Sequence, residues 1–107
     1  MRILYKEPGK EARTMIVPNK LDVLQDLVGG YIETLTVGDI VIICNEEGKV
    51  KHMPLNFFVK TKNYIEAIVG PAIFCRTDRW EFKGLETEDI THIKELMTEV
   101  PAWQEED

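Results

Sequence analysis

The sequence predicts an α+β fold: a mostly antiparallel sheet of about five to six strands, with two helices packed on one face. Three observations lead there. Short runs rich in β-branched and aromatic residues recur between Gly, Pro and Asn turn signals. Two segments, near residues 19–29 and 87–100, carry apolar residues at intervals of three and four. The run Ile40-Val41-Ile42-Ile43-Cys44 is apolar without alternation, as expected of a central strand covered on both faces.

The elements follow in order. Arg2 to Lys6 reads as a strand, Glu7-Pro8-Gly9-Lys10 as a turn, and Thr14 to Val17 as the returning strand of a hairpin. Asn19 is a candidate N-cap for a helix of about three turns. Its apolar stripe is Leu21, Leu24, Leu27 and Val28, and Gly29 supplies the left-handed stop. Tyr31 to Val37 is a strand, and Gly38-Asp39 is a tight turn into the apolar run. Asn45-Glu46-Glu47-Gly48 reads as a hairpin loop: asparagine bonds its own following backbone and the two glutamates sit in water. Lys49 to His52 would return as an edge strand, and Met53-Pro54-Leu55-Asn56 leaves it because proline lacks an N–H. Phe57, Phe58 and Val59 dip back into the core. Tyr64 to Val69 and Ala72 to Arg76 read as one long strand interrupted at Gly70-Pro71. Thr87 caps a last helix with Glu88 and Asp89 in its first turn and Ile90, Ile93, Met97 and Val100 along its buried stripe.

The chain has 107 residues, so one domain over 1–100 followed by an acidic tail at 101–107 is expected. Net charge is −6. Residues 1–80 hold 11 Lys/Arg against 10 Asp/Glu, and residues 81–107 hold 2 against 9. The body is nearly neutral and the acidity is terminal, which disfavours a nucleic-acid partner. A basic patch drawn from Lys49, Lys51, Lys60, Lys62, Arg76 and Arg79 reads better as a solvated face. No apolar run is long enough to span a bilayer, and the N-terminus lacks a signal layout, so a cytoplasmic setting is expected. Cys44 and Cys75 then read as buried free thiols.

A search for chemistry returns little. Gly29-Gly30 has no phosphate-loop sequel, and the chain contains no serine. His52 and His92 lie 40 residues apart with no cysteine at ligand spacing near either, so no metal and no cofactor are expected. The adjacent carboxylates Glu46/Glu47, Glu88/Asp89 and Glu105/Glu106 point in different directions. The residues left as ligand- or partner-binding candidates are Asn45, Glu46, Asn56, Arg76, Arg79, Trp80 and Trp103. Arginine beside an aromatic can stack on a partner, although Trp80 and Phe82 also suit a core seal beneath the last helix. Trp103, beyond Pro101, is the residue best placed for a partner or dimer contact.

Four segments in series carry a resemblance: Val28-Gly29-Gly30-Tyr31-Ile32-Glu33, Ile43-Cys44-Asn45-Glu46-Glu47-Gly48-Lys49, Met53-Pro54-Leu55-Asn56 and Ile68-Val69-Gly70-Pro71-Ala72-Ile73. Together they resemble the domain-of-unknown-function family numbered 3846, small proteins of phages, prophages and plasmids. The resemblance runs over about residues 1–76. It implies a bacterial or phage source, a cytoplasmic setting and an accessory role, and it carries no catalytic residue. It also implies that the Asn45-Glu46-Glu47-Gly48 turn and the Pro54-Leu55-Asn56 turn belong to the family pattern, and Asn56 is expected to tie the 53–56 loop to the first hairpin through its amide.

The leading expectation is therefore a non-enzymatic accessory or protein-binding domain of a mobile element, including an inhibitor of a host protein, as a monomer or homodimer. The alternative is a small-ligand or nucleotide binder in which the 45–48 loop, the 53–56 turn and the Arg76/Arg79/Trp80 segment meet at a pocket. An enzyme with fold-assembled carboxylates is the residual reading.

Overall fold

The computed structural model describes residues 1–99. Its strands are β1 (Arg2–Lys6), β2 (Arg13–Ile16), β3 (Ile32–Val37), β4 (Ile40–Asn45), β5 (Leu55–Lys60), β6 (Ile65–Val69), β7 (Ala72–Asp78), β8 (Glu81–Lys83) and β9 (Met97–Glu99). Its helices are α1 (Leu21–Val28) and α2 (Thr87–Leu96). The strands form two sheets where one was expected. The larger runs β2-β1-β7-β4-β3, with β8 added to β7, and the smaller runs β6-β5-β9. Every pairing described is antiparallel.

The large sheet is the middle layer. Successive side chains of a strand point to opposite faces, so β4 splits into two sets. Val41 and Ile43 join Ile3, Tyr5, Ile73 and Cys75 beneath Leu24 and Val28 of α1. Ile40 and Ile42 join Leu4 and Phe74 against Phe57 and Val59 of the small sheet and Ile93 of α2. The unbroken apolar run thus has both faces covered, as its pattern required. The helices, expected on one face, lie on opposite faces. Phe57 and Phe74 stack with ring centroids 5.3 Å apart and join the two sheets.

Most other departures trace to a named hydrogen bond or strand pairing. α1 has eight residues, a little over two turns instead of three. Its N-cap is Lys20, and the Asn19 amide instead donates to the Phe82 carbonyl at 2.8 Å, pinning the start of the helix to β8. Leu21 falls outside the apolar stripe at 57% exposure, and Val23 packs in its place. Gly29 ends the helix in the left-handed region at φ 82°, as expected.

Residues 49–52 form no strand. Lys51 N–H donates to Glu47 O and Met53 N–H to Gly48 O, so the loop winds through consecutive turns. The chain enters β5 directly after Pro54, and Phe57 and Val59 are strand residues facing the core. Residues 64–76 are two strands in different sheets. At Gly70, φ 72°, the chain leaves the small sheet for the large one.

α2 is capped by Glu86, not Thr87: Asp89 accepts the Glu86 N–H at 2.7 Å, closing a capping box. Thr87 Oγ1 instead accepts from Arg2. The helix stops at Leu96, because Met97–Glu99 is taken as a third strand alongside β5. Val100, Trp103 and the 101–107 tail lie outside the described residues.

Candidate functional site

The sequence candidates fall into two groups at opposite ends of β7, whose seven residues span about 23 Å. Asn45, Glu46 and Asn56 lie at the Ala72 end, and Arg76, Arg79 and Trp80 lie at or beyond the other. The structure does not bring these groups to one pocket.

Asn45 is buried, and its amide is spent on architecture. Nδ2 donates to Val28 O at 3.1 Å, satisfying a carbonyl left over at the end of α1. Oδ1 accepts the Glu47 N–H at 2.8 Å, the side-chain turn its position promised. A Cβ at the adjacent Gly30 would stand 2.9 Å from Asn45 Nδ2, so any larger residue there has to displace this hydrogen-bonded amide. Glu46 and Glu47 are exposed.

Asn56 is 1% exposed and joins the sheets. Its Nδ2 donates to the carbonyls of Lys6 and Gly70, both at 2.8 Å, and its Oδ1 accepts from the buried Lys6 ammonium at 3.0 Å. One side chain therefore links the end of the first hairpin, the start of β5 and the residue where the chain changes sheet. The tie from the 53–56 loop to the first hairpin is present.

A cleft of about 210 Å³ opens where β3, the last strand of the large sheet, faces β6, an outer strand of the small one. Leu35, Cys44 and Ile68 line it, with Glu33, Glu46, Lys49, Tyr64 and Glu66 around them. Lys49 Nζ donates to Glu66 at 2.9 Å, and this bond raises the lysine pKa. Burial pushes the Cys44 thiol up to about 11; the Glu33 carboxylate adds to the rise and the Lys49 ammonium opposes it. Glu33 and Glu66 were missed as site residues. The only sequence signal was an acid at an inward-facing place in each strand, Ile32-Glu33-Thr34-Leu35 and Ile65-Glu66-Ala67-Ile68.

At the far end, Arg76 grips Asp89 with two parallel bonds, Nε to Oδ2 at 2.7 Å and Nη2 to Oδ1 at 2.9 Å. The guanidinium holds the Asp89 carboxyl below its usual range, assisted by the Glu86 N–H. Arg76 therefore fixes the first turn of α2 onto β7. Of the six residues that could have formed a basic patch, three are engaged in ion pairs: Lys49 with Glu66, Lys51 with Glu47 and Arg76 with Asp89.

Arg79 and Trp80 form the two-residue tip of the β7–β8 hairpin. Arg79 has φ 59°, a left-handed position that favours glycine. Trp80 is 95% exposed and does not seal the core; Phe82 does, packing against the cluster under α1. Among the described residues, no group of three or more His, Cys, Asp and Glu side chains is placed to hold a metal ion. No helix among them is long and apolar enough to cross a membrane.

Fold and surface together define a small two-sheet α+β protein that displays a tryptophan hairpin at one end and a cleft between sheet edges along one side. The chain belongs to the family described as a domain of unknown function, DUF3846, whose model matches residues 1–98. The match extends beyond Arg76, so β8 and α2 are part of the family domain. No curated protein and no solved structure matches the chain.

Proposed function

We propose that this chain is a non-enzymatic accessory protein of a bacterial mobile element, and that it acts in the cytoplasm by binding a partner protein through the Arg79-Trp80 hairpin tip. The observation that carries the reading is Trp80, almost wholly in water on a backbone turn strained at Arg79. A large indole surface left in water stabilises nothing in the monomer, and strained backbone persists at binding loops. Tryptophan and arginine are also the residues most enriched at binding hot spots. The tip is carried by a paired ladder: β8 pairs with β7, and Thr77 Oγ1 donates to Glu81 O at 3.2 Å.

The test is affinity capture from bacterial lysate with the wild-type chain, Trp80→Ala and the surface control Ile16→Ala, followed by purification of the captured protein and titration. Trp80→Ala should weaken binding by about thirtyfold or more, a loss of roughly 2 kcal/mol. Ile16→Ala should bind as wild type. A partner held equally well by Trp80→Ala overturns the assignment of the tip.

A further inference from the structure

The edge of β3 is a second surface with a definite chemistry. Each sheet has outer strands with backbone groups turned away from their neighbours, and proteins usually blunt them with shortness, proline, basic residues or bulges. β2 has four residues, carries Arg13 and runs into Pro18; β9 has three residues; the β5–β6 pair contains a register shift at Leu55/Phe57. β3 has none of these devices, and its one protection of another kind is the inward-facing charge of Glu33. Its six residues, Ile32-Glu33-Thr34-Leu35-Thr36-Val37, pair with β4 in continuous register and include no proline, lysine or arginine. Among the described residues, no backbone hydrogen bond outside that ladder reaches Ile32–Val37.

The cleft lies beside this edge. It is smaller than the roughly 300–1,000 Å³ that encloses a drug-sized ligand, so it suits one long side chain better than a nucleotide. Its apolar lining, from Leu35, Cys44 and Ile68, suits an aliphatic stem. Three carboxylates, Glu33, Glu46 and Glu66, stand around it against one ammonium, Lys49, which is already bonded to Glu66. The Glu33 carboxylate makes no direct hydrogen bond or ion pair among the described residues, and acts on Lys49 only through space. The complementary group is therefore cationic.

We propose that β3 accepts an extended segment of the partner protein as an added strand, and that this segment sets a lysine or arginine side chain into the cleft beside Glu33 and Glu66. An added strand gains affinity from main-chain bonds and selectivity from alternate side chains. The inference rests on the protein-binding reading above but not on Trp80.

The probe is a blocked hexapeptide, TVRVTV, titrated into isotope-labelled protein and followed by amide shifts and hydrogen exchange. Two matched peptides accompany it, TVEVTV and a TVRVTV whose outward-facing amides are N-methylated. TVRVTV should slow exchange at the β3 amides, and both matched peptides should bind at least about tenfold more weakly. Glu33→Gln and Glu66→Gln should each weaken TVRVTV by about three- to tenfold; Glu33 is exposed, so its variant keeps the fold. Equal binding of TVEVTV, shifts confined to other strands, or no binding at millimolar peptide would overturn the proposal. So would a dimer of the peptide-free protein that protects the same β3 amides, because the occupant would then be a second copy. Failure of the peptide with retained loss of capture in Trp80→Ala removes only this inference; the converse removes only the hairpin tip.

Discussion

Replacing Asn56 by alanine removes three hydrogen bonds at once from the junction of the two sheets. Each net hydrogen bond is worth about 1 kcal/mol, and a buried polar group left without its partner costs roughly 1–3 kcal/mol. Alanine leaves the Lys6 and Gly70 carbonyls without this donor and takes one acceptor from the buried Lys6 ammonium. Adding these terms without double counting gives a destabilisation of about 3–5 kcal/mol. For a domain of this length that corresponds to a fall in Tm of about 12–20 °C. Thermal and urea unfolding followed by circular dichroism measure it, with Asn56→Asp as an isosteric control. Aspartate keeps the volume and an acceptor for Lys6 but cannot donate to the two carbonyls. A Tm for either variant within about 3 °C of wild type would show that the amide donors do not hold the sheets together.

Four further outcomes are expected. Asp89 has a folded pKa below its unfolded value, so its ion pair stabilises above the unfolded pKa and fades as pH falls through the lower, folded one. The wild-type Tm should thus fall more steeply below about pH 4 than that of Asp89→Asn; parallel curves would refute the pairing. Arg76→Lys should lower the Tm, since an ammonium cannot reproduce the two parallel bonds, and an unchanged melt would contradict that geometry. Gly70→Ala combines a left-handed backbone with a Cβ placed 2.6 Å from Met53 Sδ, and should cost about 1–3 kcal/mol in urea unfolding. Finally, burial raises the thiols of Cys44 and Cys75 to about 11 and about 12. At pH 8 only about one Cys44 in a thousand is thiolate, so both thiols should label slowly when native and rapidly in guanidinium. The linked stability is complete below about pH 8.5 and is lost as pH rises through those values.

What the sequence disclosed follows the range of each interaction. The hairpin of β1 and β2, the glycine stop of α1, the Asn45 turn and the two-faced burial of β4 rest on local rules, and residue types announce them. The division into two sheets depends on which partner each strand finds. Ile65–Val69 runs into the apolar start of Ala72–Asp78 with only Gly70-Pro71 between them, and the chain changes sheet at the φ 72° bend of Gly70. The caps misled for a related reason. Asn19 and Thr87 are good capping residues, but tertiary partners, Phe82 O and Arg2, claimed their side chains. Asn56 was legible because an amide after proline at a strand entrance has few local uses. The cleft was not, because Glu33 and Glu66 lie 33 residues apart and meet only through sheet packing.

The place of β7 has a consequence for synthesis. It is the strand between β1 and β4, yet it is made after both, and after β5 and β6. On the ribosome, the hairpin of β1 and β2 and the hairpin of β3 and β4 must wait side by side with no common neighbour until residues 72–78 emerge. Folding of the nascent chain is therefore a late event with long-range closures, slower than a helical protein of equal length. A chain released before residue 78 would expose the apolar flanks of both hairpins to chaperones and proteases.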